Sequence, residues 1–250
     1  VAVWGDTRNG NQDSFGNIGA QLATTLVSAV LPSSRSVQVG VPATAFATII
    51  NAGATTATSC GISNVTIIHA SFTYQTTDPA TNAVSGTPNT PVHIAAGGFQ
   101  TYIFALTPTA PFAPTDVQMS FDCTNAVPAP TITGLNTLLL SASATPVADI
   151  VALAATTTND GIVNIPGTNG AGAFAVATVN VGATGTIAAS ADTGTATVPV
   201  NIYLCQTDPA IGQCISTIGP SVTTQINANA TPTFGILSKA MALCRSIRPR

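Results

Sequence analysis

The residues best suited to chemistry in this chain of 250 are its five cysteines. Cys60, Cys123, Cys205 and Cys214 fall in or beside segments that read as strands, two in each half. There is no C-x-x-C pair and no histidine at a zinc-ligand spacing. That pattern predicts disulfides and so an oxidising compartment, secreted or at the cell surface. Four cysteines allow three pairings. Cys60 with Cys123 would staple two parts of one sandwich, and Cys205 with Cys214 would bridge a hairpin; four buried thiols in a cytosolic protein are the alternative.

Other constellations are thin. His69 and His93 lie in β-type segments, and Asp78 or Asp122 would be needed to orient either one, but no G-x-S-x-G elbow supplies a nucleophile. All nine acidic residues are aspartates, scattered without an acid–base pair. Asp6, Asn9, Asn11 and Asp13 have the oxygen donors of a calcium loop, yet Arg8 occupies a position that a cation would avoid. Asn64-Val65-Thr66 and Asn229-Ala230-Thr231 fit the glycosylation sequon and are read as incidental. No catalytic, cofactor-binding or metal residue is assigned, and no cofactor is expected.

The elements that position these residues come from a repeat. Phe46-Ala47-Thr48-Ile49-Ile50-Asn51-Ala52-Gly53-Ala54-Thr55 returns as Val176-Ala177-Thr178-Val179-Asn180-Val181-Gly182-Ala183-Thr184, and Thr77-Asp78-Pro79-Ala80 returns as Thr207-Asp208-Pro209-Ala210. Both matches share an offset of roughly 130 residues, the scale of one domain. Short Val/Ile/Thr/Phe segments, Ala45 to Ile50, Ser63 to Tyr74, Gln100 to Leu106, Asp116 to Phe121 and Val198 to Leu204, are separated by Gly, Pro, Asn and Asp. Only Asn17 to Leu31 could be helical. The fold expected is therefore all-β: two tandem immunoglobulin-like antiparallel β-sandwiches, over 36–145 and 146–236, preceded by a hairpin and linker over 1–35. Hydrophobic residues make up 45% and charged ones 6%, enough for a core but without a basic surface, so no nucleic acid is expected as partner. No apolar run reaches 18 residues, so no transmembrane segment is expected.

Two resemblances add to this reading. Asn51-x-Gly53, the Ile94-Ala95-Ala96-Gly97-Gly98 turn and Phe104-Ala105-Leu106-Thr107-Pro108 together resemble the Ig-like domains of secreted bacterial repeat proteins. Trp4-Gly5-Asp6-Thr7-Arg8-Asn9-Gly10-Asn11-Gln12-Asp13 resembles the hairpin in blades of secreted sialidase-like β-propellers. The first implies a sandwich in an extracytoplasmic multidomain protein; the second implies a propeller remnant, and no catalytic residue carries over.

From Leu237 the chain changes character, and Lys239, Arg245, Arg248 and Arg250 are four of its six basic residues. Plausible codons for this tail, read in another frame, spell V-Q-G-N-G-T-V-P-F-D-P-A, similar to Ala105 to Pro114. Residues 237–250 are thus expected to be atypical, frameshifted sequence, with a basic tail for a membrane surface or anionic partner as the alternative. Cys244 belongs to this tail. The second sandwich should then be incomplete and expose a sheet edge. The function expected is a non-catalytic structural or adhesive segment, with a protein or glycan partner. The alternatives are an accessory part of a sialidase-like hydrolase and a filament or layer subunit that self-associates by strand exchange.

Overall fold

The structure is a computed structural model that describes residues 24–241 apart from 168 and 195. The Trp4–Asp13 hairpin and the arginines at 245, 248 and 250 lie outside these residues. All the regular elements described are strands. In module one they are β1 (Thr24–Leu31), β2 (Ser34–Gln38), β3 (Ala43–Asn51), β4 (Ala57–Asn64), β5 (Ala70–Thr77), β6 (Val92–Ile94), β7 (Phe99–Pro108), β8 (Phe112–Asp122), β9 (Ala126–Val127) and β10 (Thr137–Ser143). Module two contains β11 (Ile150–Ala155), β12 (Ala171–Asn180), β13 (Gly185–Ser190), β14 (Val200–Thr207), β15 (Ser221–Ile226) and β16 (Thr233–Ala240).

Module one stacks two five-stranded sheets, β5-β7-β3-β1-β9 and β2-β10-β8-β4-β6. Neighbours in each sheet are mostly non-consecutive in the chain, so the strands pass repeatedly from one layer of the sandwich to the other. Period-two patterning makes the core. β3 turns Ala43, Ala45, Ala47 and Ile49 inward, because alternate side chains of a strand share one face. Its small residues sit opposite large ones on β7, Ala45 beside Phe104 and Ala47 beside Tyr102. The second sheet answers with Val117, Met119 and Phe121 of β8 and Leu138 and Leu140 of β10, all buried. Each such side chain contributes about 1.5–3 kcal/mol by leaving water.

Three expectations require correction. Thr24–Leu31 is strand rather than helix: Leu26, Ser28 and Val30 are buried at alternate positions, Leu26 to Leu31 pair with β3, and Thr24 and Thr25 pair with β9. It therefore belongs to the first sandwich, which starts before residue 36. The chain then passes a cis Leu31–Pro32 peptide and changes sheet, β2 pairing in parallel with β10. Ser63 to Tyr74 is not one strand. The chain crosses between sheets over 65–69, where Val65 and Ile67 face solvent, and β-branched composition does not reveal such a crossing. Lastly, Leu237–Ala240 is not tail. It completes β16 in register with both β12 and β14.

Module two repeats the pattern in part. Its sheets, β11-β12-β16-β14 and β13-β15, correspond to β1-β3-β7-β5 and β4-β6. Counterparts of β8, β9 and β10 are missing among the described residues. A counterpart of β2 is missing too, and residues 156–166 form no strand. In module one β2 is held by β10 alone, so without β10 its equivalent has nothing to pair with.

Candidate interaction site

The site is best built from the asparagine that ends β12. Asn180 is fully buried, and its Nδ2 donates to the carbonyls of Ala183 (2.7 Å) and of Ile226 (3.2 Å) in the opposite sheet. Its Oδ1 accepts the Gly182 N–H at 3.0 Å. Asn51 does the same in module one, donating to Thr55 O (2.8 Å) and Ile94 O (3.1 Å) and accepting from Gly53 N (3.0 Å). One amide thus closes the N-x-G turn and ties the two sheets of each module. The Thr-Asp-Pro-Ala turns also coincide: Asp78 N donates to Ala83 O at 2.8 Å and Asp208 N to Gln213 O at 2.9 Å. The carboxylates cap their turns, accepting from Ala80 N and Ala210 N. The two copies of each motif thus make the same turn hydrogen bonds.

Module two adds one bond. Asn180 Oδ1 also accepts the backbone N–H of Asp149, at 3.0 Å, in the segment that joins the modules. Gly182 is needed for that approach, since a Cβ there would lie 2.4 Å from Val147 O. The Asp149 carboxylate in turn accepts Arg35 Nε at 2.9 Å and the Ser36 N–H at 2.9 Å, both from β2 of module one. Arg35 Nη2 stands 2.8 Å from the same carboxylate. Arg35 Nη1 reaches the Thr44 hydroxyl at 3.2 Å and also donates to the Thr44 carbonyl. Buried ion pairs hold when their remaining hydrogen bonds are met, as they are here.

Beside this junction module two is open. In module one β4 pairs on one side with β6 and on the other with β8, Ile62 opposite Phe121. Among the described residues the equivalent strand, β13, has β15 on one side and no strand on the other. A cavity of about 640 Å³ lies next to β13, lined by Ile150, Phe174, Val176, Ile187, Ala189 and Ile236, with Leu139 of module one at its rim. No ionisable side chain lines it.

The cysteines form two disulfides, Cys60–Cys123 and Cys205–Cys214. The first does not bridge the two sheets. It joins β4 to the end of β8 within one sheet, Cα atoms 4.0 Å apart, one step beyond the Gly61–Asp122 pair. Ile187 holds the equivalent place on β13, by its pairing with β15, so the open edge of module two carries no cysteine. The second disulfide ties β14 to the loop after the Asp208 turn, with Gly235 of β16 opposite Cys205.

His69 and Asp78, weighed together for catalysis, are held apart by a whole strand, β5, whose eight residues span roughly 25 Å. His93 Nδ1 accepts the Ser59 N–H at 3.1 Å, bracing a bulge where Ser59 has φ 50°. No group of three metal-ligating side chains occurs among the described residues. Lys239 is exposed on β16. Asn64 of the first sequon is half-buried and donates to Thr66 O, whereas Asn229 is exposed in a turn. No described helix is long and apolar enough to cross a membrane. Sequence reasoning missed Arg35 and Asp149; the signal available was a lone cation inside a strand of a chain almost without charge.

No family model matches the sequence, and no curated protein does. Among solved structures, the secreted serine protease VesC from Vibrio cholerae aligns with 83% of this chain at 10% identity and a TM-score of 0.26. The alignment covers 45% of that protein's length. A similarity at this level carries no argument about fold or activity. The class defined by the structure itself is an all-β protein of β-sandwich type with two disulfides, features of an oxidising compartment outside the cytoplasm.

Proposed function

We propose that the chain is a non-catalytic structural segment of a secreted or cell-surface protein, two β-sandwich modules acting as a rigid spacer that presents an interaction surface. The observation that carries this reading is the Arg35–Asp149 pair, with side-chain exposures of 11% and 4%, between β2 and the inter-module segment. Domains joined by plain linkers move independently by default. Here the segment is bonded on both sides, to Arg35 and Ser36 ahead of it and to Asn180 behind it. A spacer needs that fixed relation, and a low-charge, Thr-rich surface suits contact with a protein or glycan.

Backbone ¹⁵N relaxation tests the reading. The unaltered chain should give one rotational correlation time for both modules, and Arg35→Ala should give two. Independent tumbling of the modules in the unaltered chain would sink the rigid-spacer reading.

A further inference from the structure

The two modules turn equivalent sheet faces outward and furnish them in opposite ways. In module one the outer face of β1-β3-β7 carries two rows of large apolar side chains, aligned by register. One row runs Leu31, Phe46, Ile103, and the other runs Val27, Ile50, Phe99. All but Ile103 are more than 40% exposed, with Leu31 at 56%. No charged residue occurs in the three strands. Exposed apolar residues scattered singly are ordinary, but a contiguous set on one face marks an interaction surface.

In module two the same positions are small. Phe46 stands five residues before Asn51, and Ala175 stands five before Asn180. By the register of β11-β12-β16 the row of Leu31, Phe46 and Ile103 becomes Ala155, Ala175 and Gly235. The outer face is hollow there. A trough of about 450 Å³ runs across it, flanked by the 155–157 segment on the β11 side and by the Cys205–Cys214 loop on the β14 side. No ionisable side chain lines it.

We propose that the Leu31 and Phe46 ridge of one copy of this chain packs into the Ala175 and Gly235 trough of a second copy. Two properties select this occupant. The faces are complementary in shape, since large side chains on one meet a hollow at the equivalent row of the other, and neither brings a charge that would be stranded by burial. Their size also suits a weak, reversible contact. At about 4.8 Å per strand and about 3.4 Å per residue, a four-stranded face eight residues long covers on the order of 500 Å². Two such faces bury on the order of 1,000 Å² in total, the lower end for a specific interface. Ridge and trough lie on different modules, so each contact is head-to-tail and leaves one of each free to continue the assembly. The proposal names the partner of the spacer's interaction surface and rests on that reading; rigidity, measured on dilute monomer, and assembly fail separately.

The test is analytical ultracentrifugation of the full chain from about 1 μM to about 1 mM. The average mass of the unaltered chain should rise with concentration beyond that of a dimer. Phe46→Asp spoils the ridge and Ala175→Glu the trough, so each alone should associate at least about tenfold more weakly. Mixed in equal amounts, the two variants should form a dimer and nothing larger, because one intact ridge meets one intact trough. Should either charged variant fail to fold, Phe46→Ser and Ala175→Gln serve in the same mixing experiment. The proposal is overturned if the unaltered chain stays monomeric throughout, or if the mixture does no better than either variant alone. Assembly lost in Phe46→Asp but kept in Ala175→Glu would overturn it in favour of ridge packed on ridge.

Discussion

The guanidinium of Arg35 and the carboxylate of Asp149, 114 residues apart in sequence, meet at 2.8 Å across the junction of the two modules. Through the Asp149 backbone N–H the contact continues to Asn180, the residue that locks the two sheets of module two. A largely buried charge pair between β2 and the joining segment is thereby linked to the turn that ties the sheets of module two.

Removing Arg35 should be costly because it strands a carboxylate. Arg35→Met leaves Asp149 buried without its cation, and losses of about 3–5 kcal/mol are typical of that situation. The double variant Arg35→Met/Asp149→Asn, which leaves no bare charge, should recover more than half of the loss in chemical denaturation. A single variant no worse than the double would mean that the pair is already solvated.

The two buried asparagines should differ in one measurable respect. Asn51→Ala and Asn180→Ala each leave carbonyls without a donor, roughly 1–3 kcal/mol for each that stays dry. Only Asn180 also bonds the inter-module segment. A double-mutant cycle with Arg35 should therefore give a coupling of about 0.5–3 kcal/mol for Asn180 and near zero for Asn51. Equal couplings would break the proposed continuity from Arg35 to Asn180.

Much of this was legible in the chain. The repeat of N-x-G and Thr-Asp-Pro-Ala fixed which turns would coincide, because both motifs carry their own hydrogen-bond chemistry and hold it in either module. Cysteine placement showed that bridges would form within modules, but not that Cys60–Cys123 would stay within one sheet, since sheet membership is a long-range property. The same reason hid the crossing over 65–69 and the change of sheet after Leu31. Leu26, Ser28 and Val30 did alternate, but the small and apolar residues around them also fit a helix. Arg35 stood out only as a lone cation inside a strand, and nothing local distinguishes a paired cation from a solvated one.

Burial, and after it the neighbouring Tyr74, pushes the Tyr102 hydroxyl well above its ordinary range. A raised folded-state value means that the stabilisation is complete below the ordinary tyrosine value, about 10. It is lost as pH climbs beyond that point toward the folded-state value. Urea midpoints should thus be flat from neutral pH to about 10 and then decline. Tyr102→Phe, which removes only the hydroxyl that lies 3.4 Å from Cys60 O, should soften the decline. An unchanged alkaline slope in that variant would assign the effect elsewhere.

The disulfides close loops of very different length, with sequence separations of 63 and 9. On the chain-entropy model, loops of these sizes correspond to about 4 and about 2.5 kcal/mol. Cys60→Ala/Cys123→Ala should therefore lower the stability of module one by more than Cys205→Ala/Cys214→Ala lowers that of module two. Denaturation followed separately in each module would show a reversed order if the short bridge mattered more.

Module two should unfold first. Among the described residues the core of module one holds 22 buried hydrophobic side chains, and that of module two holds four, Leu204, Val222, Phe234 and Ile236. The difference follows from the missing partners of β13, because inner residues such as Phe174 and Val176 stay half-buried without strands equivalent to β8 and β10. Local stability tracks this kind of buried apolar contact, and regions poor in it open at lower free energy. Native-state amide exchange in rising denaturant should show β11 to β16 opening as one unit before β3, β7 and β8. Guanidinium unfolding should then have two steps, the first removing module two alone. If instead both modules melt together, the Arg35–Asp149 junction must couple them more strongly than the deficit in the second core separates them. In that case Arg35→Met should split the single transition into two.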